Sequence, residues 1–358
     1  IPQRIYEDLA GKISRGDIAY MEQLPVLPEL CELYATSQMT VRRALEELER
    51  NGFIRRQRGR GKGTFAIKKN FQASIRLLFV NHQEVLRSPI EYHHEAFDLI
   101  AGVREAAAGE NVAVHNVVPS TFDSISAPST ETGAVSVGYI IIAMDWISYI
   151  EGVRLANQHQ APFVLLNAPN PGFPCVRVDM EEAAFLAVQH LAQSGHQRIA
   201  YVGCKTGEWF SPRWEGYRRA LAECGLAYDA DLFYYTDGVD PKMEEAALNH
   251  LLGLSEPPTA IFTSSDYCAF NLMNHCRKLG ISIPEDLSLC GYDNIAGAAD
   301  VIPSLTTVHH ARLEQGKEAV SLLLDLMYSG KSEKTDRLIK PYVVERESTA
   351  PPKVILNH

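Results

Sequence analysis

Eight basic side chains, Arg50, Arg55, Arg56, Arg58, Arg60, Lys62, Lys68 and Lys69, fall among residues 50–69 with no Asp or Glu between them. Fixed cations interleaved with Gly59, Gly61 and Gly63 are chemistry for phosphates, because glycine lets the backbone approach closely while guanidinium and ammonium groups displace counterions. A second set of polar residues stands later, directly after short apolar runs: Asn81-His82, Asp145-Trp146, Asn167, Lys205 with Trp209, Asp237, Ser264-Ser265-Asp266 and Tyr292-Asp293. Carboxylates and guanidiniums pair with hydroxyls while aromatic faces cover C–H surface, so these residues suit a small polar ligand, a sugar foremost. No nucleophile with a placed base, phosphate loop or metal constellation occurs at credible spacing. The expectation is a binding protein without a cofactor or metal, not an enzyme. His93-His94 between Glu91 and Glu95 is the one metal-like cluster, and adjacent histidines point to different sides of a helix or strand; a solvated helix start is the simpler reading. The seven cysteines are scattered, contain no Cys-x-x-Cys pair and read as reduced core thiols.

The elements that must position these groups divide unevenly. A chain of 358 residues predicts two or three folded units. With 46% hydrophobic and 22% charged residues it has the makings of ample cores and excludes a disordered or fibrous chain. The net charge of -10 hides a split: residues 1–72 hold 13 Lys/Arg and 9 Asp/Glu, net +4, which leaves 21 against 35, net -14, for the rest. A small basic head on an acidic body excludes whole-surface attraction to nucleic acid and points to a local contact. The longest apolar runs, such as Ile140-Ile141-Ile142-Ala143-Met144, have strand length, so no membrane span is expected. No leader-like segment opens the chain, and a cytoplasmic location is the default expectation.

In the head, Ile5, Leu9 and Ile13 recur four apart on one helical face, and Pro28 suits the first turn of a second helix carrying Leu30, Leu33 and Tyr34. Thr36-Ser37 offers an N-cap to a third helix with Val41, Ala44, Leu45 and Leu48 inward and Thr40, Arg42, Arg43 and Glu47 off that face; Asn51-Gly52 ends it. Residues 53–58, a glycine-punctuated tip at 59–63 and residues 64–67 read as a hairpin. Three helices and a basic hairpin predict a winged helix-turn-helix, with Thr40, Arg42 and Arg43 facing the major groove. A solvated face is the competing reading, since Glu46, Glu47 and Glu49 are spaced to pair with Arg42, Arg43 and Arg50.

From Ile75 onward strand-like and helix-like runs alternate. The strands include residues 75–80, 112–117, 138–143, 163–166, 199–202, 232–235, 260–263 and 287–290, with amphipathic segments such as 95–108, 181–194, 213–224, 244–252 and 268–279 between them. Such alternation predicts α/β architecture, with two doubly wound parallel sheets whose ligand lies beyond the strands' carboxyl ends. Each candidate has a plainer reading. Asp266 is placed to cap the helix that follows, Asp293-Asn294 to make a turn, Trp146 and Trp209 to fill a core, and Arg213 to pair with Glu215 or Glu208; His82 alone is weak.

The head resembles the GntR family of bacterial regulators through Ile5-Tyr6, Leu24-Pro25, Glu29-Leu30, Ser37, residues 39–45, Leu48, Gly52 and residues 61–65. The resemblance implies DNA contacts at Ser37, Gln38, Thr40, Arg42, Arg43, Arg60, Gly61, Lys62 and Gly63. Val26-Leu27-Pro28 departs from the family's Ser-Glu-Arg-like run, and Gln38 stands where an arginine is frequent, so different bases are expected to be read there. The body resembles the LacI/GalR regulator core, itself similar to periplasmic sugar-binding proteins. Residues 194–203, 213–217, 257–266, 283–288, 291–294, 303–308 and 344–348 carry that likeness. It implies an effector held by Arg213, Asp293, Ser265 and strand-end residues near His82 and Asn167, to which the strand-end reading adds Asp145, Trp146 and Trp209. Serine at 265 replaces a common asparagine and asparagine at 167 a common aspartate, so the effector's identity does not carry over. Residues 120–132, rich in Ser, Thr and Pro, replace a helix usual in relatives.

The combination looks like arabinose-repressor-type regulators. It implies a winged helix-turn-helix domain at 1–68, a linker at 69–74, a two-lobed periplasmic-binding-protein-like domain at 75–348 and a tail at 349–358. The lobes are expected to divide near 178, with crossings back near 305 and 330. The implied partners are a second copy of the chain, double-stranded operator DNA and a small effector, a sugar in the leading case, with no membrane. The rival is a sugar receptor whose head contacts protein rather than DNA.

Overall fold

The computed structural model describes residues 2–15, 17–18, 22–57, 63–67, 72–80, 91–110, 112–117, 135–143, 146–168, 172–204, 211–236, 240–329 and 336–353. The head is three helices and a hairpin. Helix α1 (Pro2–Arg15) buries Ile5, Leu9, Ala10 and Ile13, and α3 (Gln38–Arg50) meets them with Val41, Ala44, Leu45 and Leu48. Between them α2 (Leu27–Leu33) carries Pro28 in its first turn and buries Leu30. Its N-cap, Val26, has no polar side chain; Glu29 instead reaches back 3.0 Å to accept from the Val26 N–H, which answers one orphan donor of the helix start. Strands β1 (Ile54–Gln57) and β2 (Gly63–Ala66) pair antiparallel, Ile54 opposite Ala66 and Gln57 opposite Gly63, to form the wing.

The body holds two six-stranded sheets. The first lobe orders β13 (Asp336–Ile339), β7 (Cys175–Val178), β6 (Phe163–Leu166), β5 (Val135–Ala143), β3 (Gln72–Val80) and β4 (Ala113–Val117), all parallel. Helices α4 (Glu91–Gly109), α5 (Trp146–Gln158) and α10 (Arg312–Ser329) cover it. The second lobe orders β14 (Tyr342–Val344), β12 (Thr306–His309), β11 (Ser288–Asp293), β10 (Ala260–Thr263), β8 (Ile199–Val202) and β9 (Phe233–Tyr234), with only β14 antiparallel among them. Its helices are α6 (Met180–Gln193), α7 (Ser211–Glu223), α8 (Pro241–Leu252) and α9 (Asp266–Leu279). Strands β8, β10 and β11 are buried along their whole length, the signature of a parallel sheet covered on both faces.

The chain passes between the lobes three times, at Asp179, at 310–311 and at 340–341. The two return crossings fall later than the sequence suggests, because β12, with its polar threonines, belongs to the second lobe and β13 to the first. The expected linker is also shorter, since Gln72, Ala73 and Ser74 already pair with Val135, Ser136 and Val137. Residues 69–71 and 120–132 lie outside the described residues.

Glycines set the closest helix crossings. A Cβ at Gly102 of α4 would stand 2.1 Å from the Leu313 carbonyl oxygen, one at Gly316 of α10 would stand 2.3 Å from that of Leu99, and one at Gly216 of α7 would stand 2.1 Å from that of Glu181. Backbone cannot yield as a side-chain tip can, so overpacking of about 1–3 kcal/mol is expected. Gly316→Ala should therefore lower the denaturant midpoint although alanine gains about 1 kcal/mol of helix propensity. Gly109→Ala, where nothing lies within 4 Å, should leave it unchanged or raise it.

Candidate functional site

The head presents the start of α3. The Ser37 side chain caps the helix, its Oγ accepting from the Thr40 N–H at 3.4 Å. Ser37, Gln38, Arg42 and Arg43 are exposed and Thr40 is half-buried. Neither arginine forms an ion pair among the described residues, and the glutamates expected to compete go elsewhere or stay unpaired there: Glu49 meets Arg56 of β1 at 3.4 Å. Two free guanidiniums beside the positive end of a helix dipole make a surface for anions. Gly63 begins β2, where a Cβ would come 2.9 Å from Gln23 Nε2. Arg60, Gly61 and Lys62 at the wing tip lie outside the described residues.

In the body a deeply buried polar cluster gathers where β11 ends. Asp293, its last residue, takes a φ of +117°, and its Oδ1 accepts from Arg312 Nη2 at 2.7 Å. Arg312 Nη1 reaches the Asp293 carbonyl at 3.3 Å. Arg213, in the first turn of α7, stands 3.9 Å from the same carboxylate oxygen, donates to the Ser264 carbonyl at 2.6 Å, and lies 4.1 Å over the Tyr292 ring. His310 Nδ1 is 3.8 Å from Asp293 Oδ1. None of Arg213, Asp293, Arg312 and His310 is more than 5% exposed. At that depth desolvation exceeds the attraction of any one imperfect pair, so the cluster stands only while its charges compensate one another. The guanidinium over Tyr292 adds a cation–π contact of about 2 kcal/mol or less.

Ser265 follows β10 as expected, and it is the N-cap of α9, its Oγ accepting from the Cys268 N–H at 3.2 Å. The expectation that Asp266 caps this helix is thereby corrected. Asp266 is wholly buried, accepts from the Ile295 N–H at 2.9 Å and lies 2.5 Å from Thr307 Oγ1, tying the β11 and β12 ends to α9. Burial first, and the Asp293 charge second, push its carboxyl up to about 8. On the first lobe, Asn167 ends β6 in left-handed geometry at φ +56°, which asparagine tolerates. Its Oδ1 is buried without a hydrogen-bond partner among the described residues.

Arg213, Ser265 and Asp293 are thus brought to one end of the second sheet, and Asn167 to the corresponding end of the first. Arg213 is not spent on Glu215, which pairs with Arg218 instead. His82, Asp145 and Trp209 lie outside the described residues; Trp146 opens α5, with its side chain outside the description. His93 and His94 lie in α4, and no metal-holding cluster occurs among the described residues. All seven cysteines are free. No helix of the described residues is long and apolar enough to cross a membrane. Sequence reasoning missed Arg312 and His310. The available signal was the run Leu305-Thr306-Thr307-Val308, whose threonines mask a strand, with both residues following its end.

With that geometry in view, the comparisons with known proteins agree on both parts. Residues 2–64 match the model of bacterial regulatory proteins of the gntR family, and residues 188–349 match a periplasmic binding protein-like domain. The HTH-type transcriptional repressor CytR of Escherichia coli is 37% identical over 194 residues, 52% of this chain and 56% of that protein, so the chain spans about half the length of this relative. The arabinose metabolism transcriptional repressor of Geobacillus stearothermophilus is 26% identical over 97% of this chain and 96% of its own. Among solved structures, a LacI family transcriptional regulator from Enterococcus faecium with bound ribose superposes with a TM-score of 0.62 at 26% identity, covering 78% of this chain and all of that one. The chain therefore joins a GntR-family helix-turn-helix domain to a periplasmic-binding-protein-like domain of the kind carried by LacI-family regulators.

Proposed function

We propose that the chain is a ligand-responsive transcriptional repressor that binds a pseudo-palindromic operator as a dimer and is released by a small carbohydrate. The observation that carries this reading is the pairing, in one polypeptide, of an exposed arginine pair at the start of α3, without an ion pair among the described residues, with a buried Arg213–Asp293–Arg312 cluster at the ligand end of a doubly wound sheet. The first suits phosphates and base edges, and the second suits hydroxyls. The ribose held by the Enterococcus faecium relative and the arabinose metabolism governed by the Geobacillus stearothermophilus relative support a sugar as effector. Dimerisation is supported by an apolar face on the second lobe, where Ile302 is 95% and Leu279 49% exposed beside a groove of about 630 Å³ lined by Phe270, Met273 and Ile281. A second copy covering that face would fix the spacing of two heads.

An effector changes DNA affinity only through different affinity for two arrangements of the lobes. Asp293 belongs to the second lobe and Arg312 opens a helix of the first, so a ligand on this pair acts where the two meet. The test is selection of a duplex from a random pool with the full chain, followed by titration of the selected duplex with D-ribose, D-xylose, L-arabinose, D-glucose, D-galactose, cellobiose and maltose. The expected result is two chains per duplex and release by at least one sugar. A chain that selects no sequence, or one that binds as a monomer, overturns the operator and dimer reading.

A further inference from the structure

Residues 346–353 run as a strap across the second lobe. Ser348 is buried, its carbonyl accepting from the Leu289 N–H at 2.8 Å, and the Ala350 carbonyl accepts from His196 Nε2 at 2.9 Å and from Ser288 Oγ at 3.0 Å. Lys353 Nζ then donates to Asp286 Oδ1 at 2.5 Å, while Asp286 Oδ2 accepts from the Ser282 N–H at 2.8 Å. Ser282 belongs to the wall of the groove of about 630 Å³ that lies between α9 and residues 301–303. The strap at Lys353 is therefore one ion pair away from that groove.

The groove continues the interior of the lobe outward. Phe270, Ile281, Ile283 and Val301 are half-buried and pack against the core around Leu272, Cys276 and Leu289, while Ile302 at the rim is 95% exposed. Apolar surface continuous with a core gains from a cover in proportion to the area removed from water. Val354-Ile355-Leu356-Asn357-His358 follow the strap in the sequence and lie outside the described residues. Three of the five are aliphatic, and none is a Lys, Arg, Asp or Glu. Five extended residues span at most about 17 Å. That length suffices to pass from the Asp286 turn along the groove, and keeping this run in water would leave both apolar surfaces uncovered.

We infer that residues 354–358 fold back into the groove of their own lobe, with Ile355 and Leu356 covering Ile281, Ile283 and Ile302, so that the strap continues as an apolar plug. The segment is the chain's own and not a second copy's, because its anchor, Asp286, sits in the same turn as Ser282 and Ile283. Closing so short a loop costs little entropy. The inference does not rest on the operator or sugar readings. A second copy would meet this face with the groove already filled.

The test uses the full chain. With p-benzoylphenylalanine in place of Leu356, illumination should cross-link this position to a peptide within residues 270–303. In a preparation refolded from mixed heavy-isotope and unlabelled chains, both halves of that cross-link should carry the same isotope. Ile355→Asp together with Leu356→Asp should lower the melting temperature by about 4 °C, the scale set by uncovering two aliphatic side chains. The same variant should raise the fluorescence of a dye that binds apolar surface. Cross-links confined to other parts of the chain overturn the inference, as do mixed-isotope pairs, which would give the groove to the segment of a second copy. So does an aspartate variant whose melting temperature and dye fluorescence match the wild type.

Discussion

Asp293→Ala is expected to cost about 3–5 kcal/mol of stability, because it removes from a buried cluster the carboxylate that Arg312 and Arg213 share. Equilibrium denaturation of the body should show the loss as a lower midpoint at an unchanged slope. Asp293→Asn should cost less, since the amide oxygen still accepts from Arg312 Nη2 while the charge is gone. Both variants should lose the sugar-induced rise in melting temperature that mass action gives the wild type. A full thermal response in Asp293→Asn would remove this carboxylate from the ligand site while leaving its structural role intact.

Replacing Arg42 and Arg43 together with alanine should leave stability within about 0.5 kcal/mol, since both side chains are exposed and unpaired among the described residues. Binding to the selected duplex should weaken by about 100-fold, from two lost charge-assisted contacts of roughly 1–3 kcal/mol each. The slope of log affinity against log salt should shrink by about 1 for each arginine that faces a phosphate. Anisotropy titrations at three salt concentrations distinguish the two roles. An arginine reading a base edge changes which duplex is preferred, and one on a phosphate changes only the salt slope. An unaltered titration curve would reassign this face of α3 to solvent.

Most of the head was legible because each of its elements announces itself locally. The four-residue recurrence of Ile5, Leu9 and Ile13, the cap at Ser37 and the glycine-bounded hairpin are read within a dozen residues, and the same groups make the head's core. The body's sheets were legible for a related reason: strands buried on both faces are uninterrupted apolar runs. Legibility failed at Thr306–His309, where two buried threonines, Thr307 donating to Asp266 of α9 and Thr306 accepting from the Arg346 N–H, look like loop residues in a linear reading. Losing that strand hid its successors, His310 and Arg312. The cap at α9 was misplaced by one residue for a different reason. Serine and aspartate cap helices almost equally well, and only burial against Thr307 and the Ile295 N–H shows which is engaged elsewhere.

The three passages of the chain between lobes bear on how the molecule can be taken apart. The first lobe draws β13 and α10 from the far end of the sequence, and Ala319, Val320, Leu322, Leu323 and Leu324 of that helix fill its interior. A fragment stopping at Val178 would expose the apolar flank those side chains cover, so neither lobe is a unit that recombination can cut out with one junction. The head is one unbroken stretch with its own interior. A single splice suffices to exchange it, which, on the function proposed above, makes the choice of target sequence and the choice of small molecule separately inheritable.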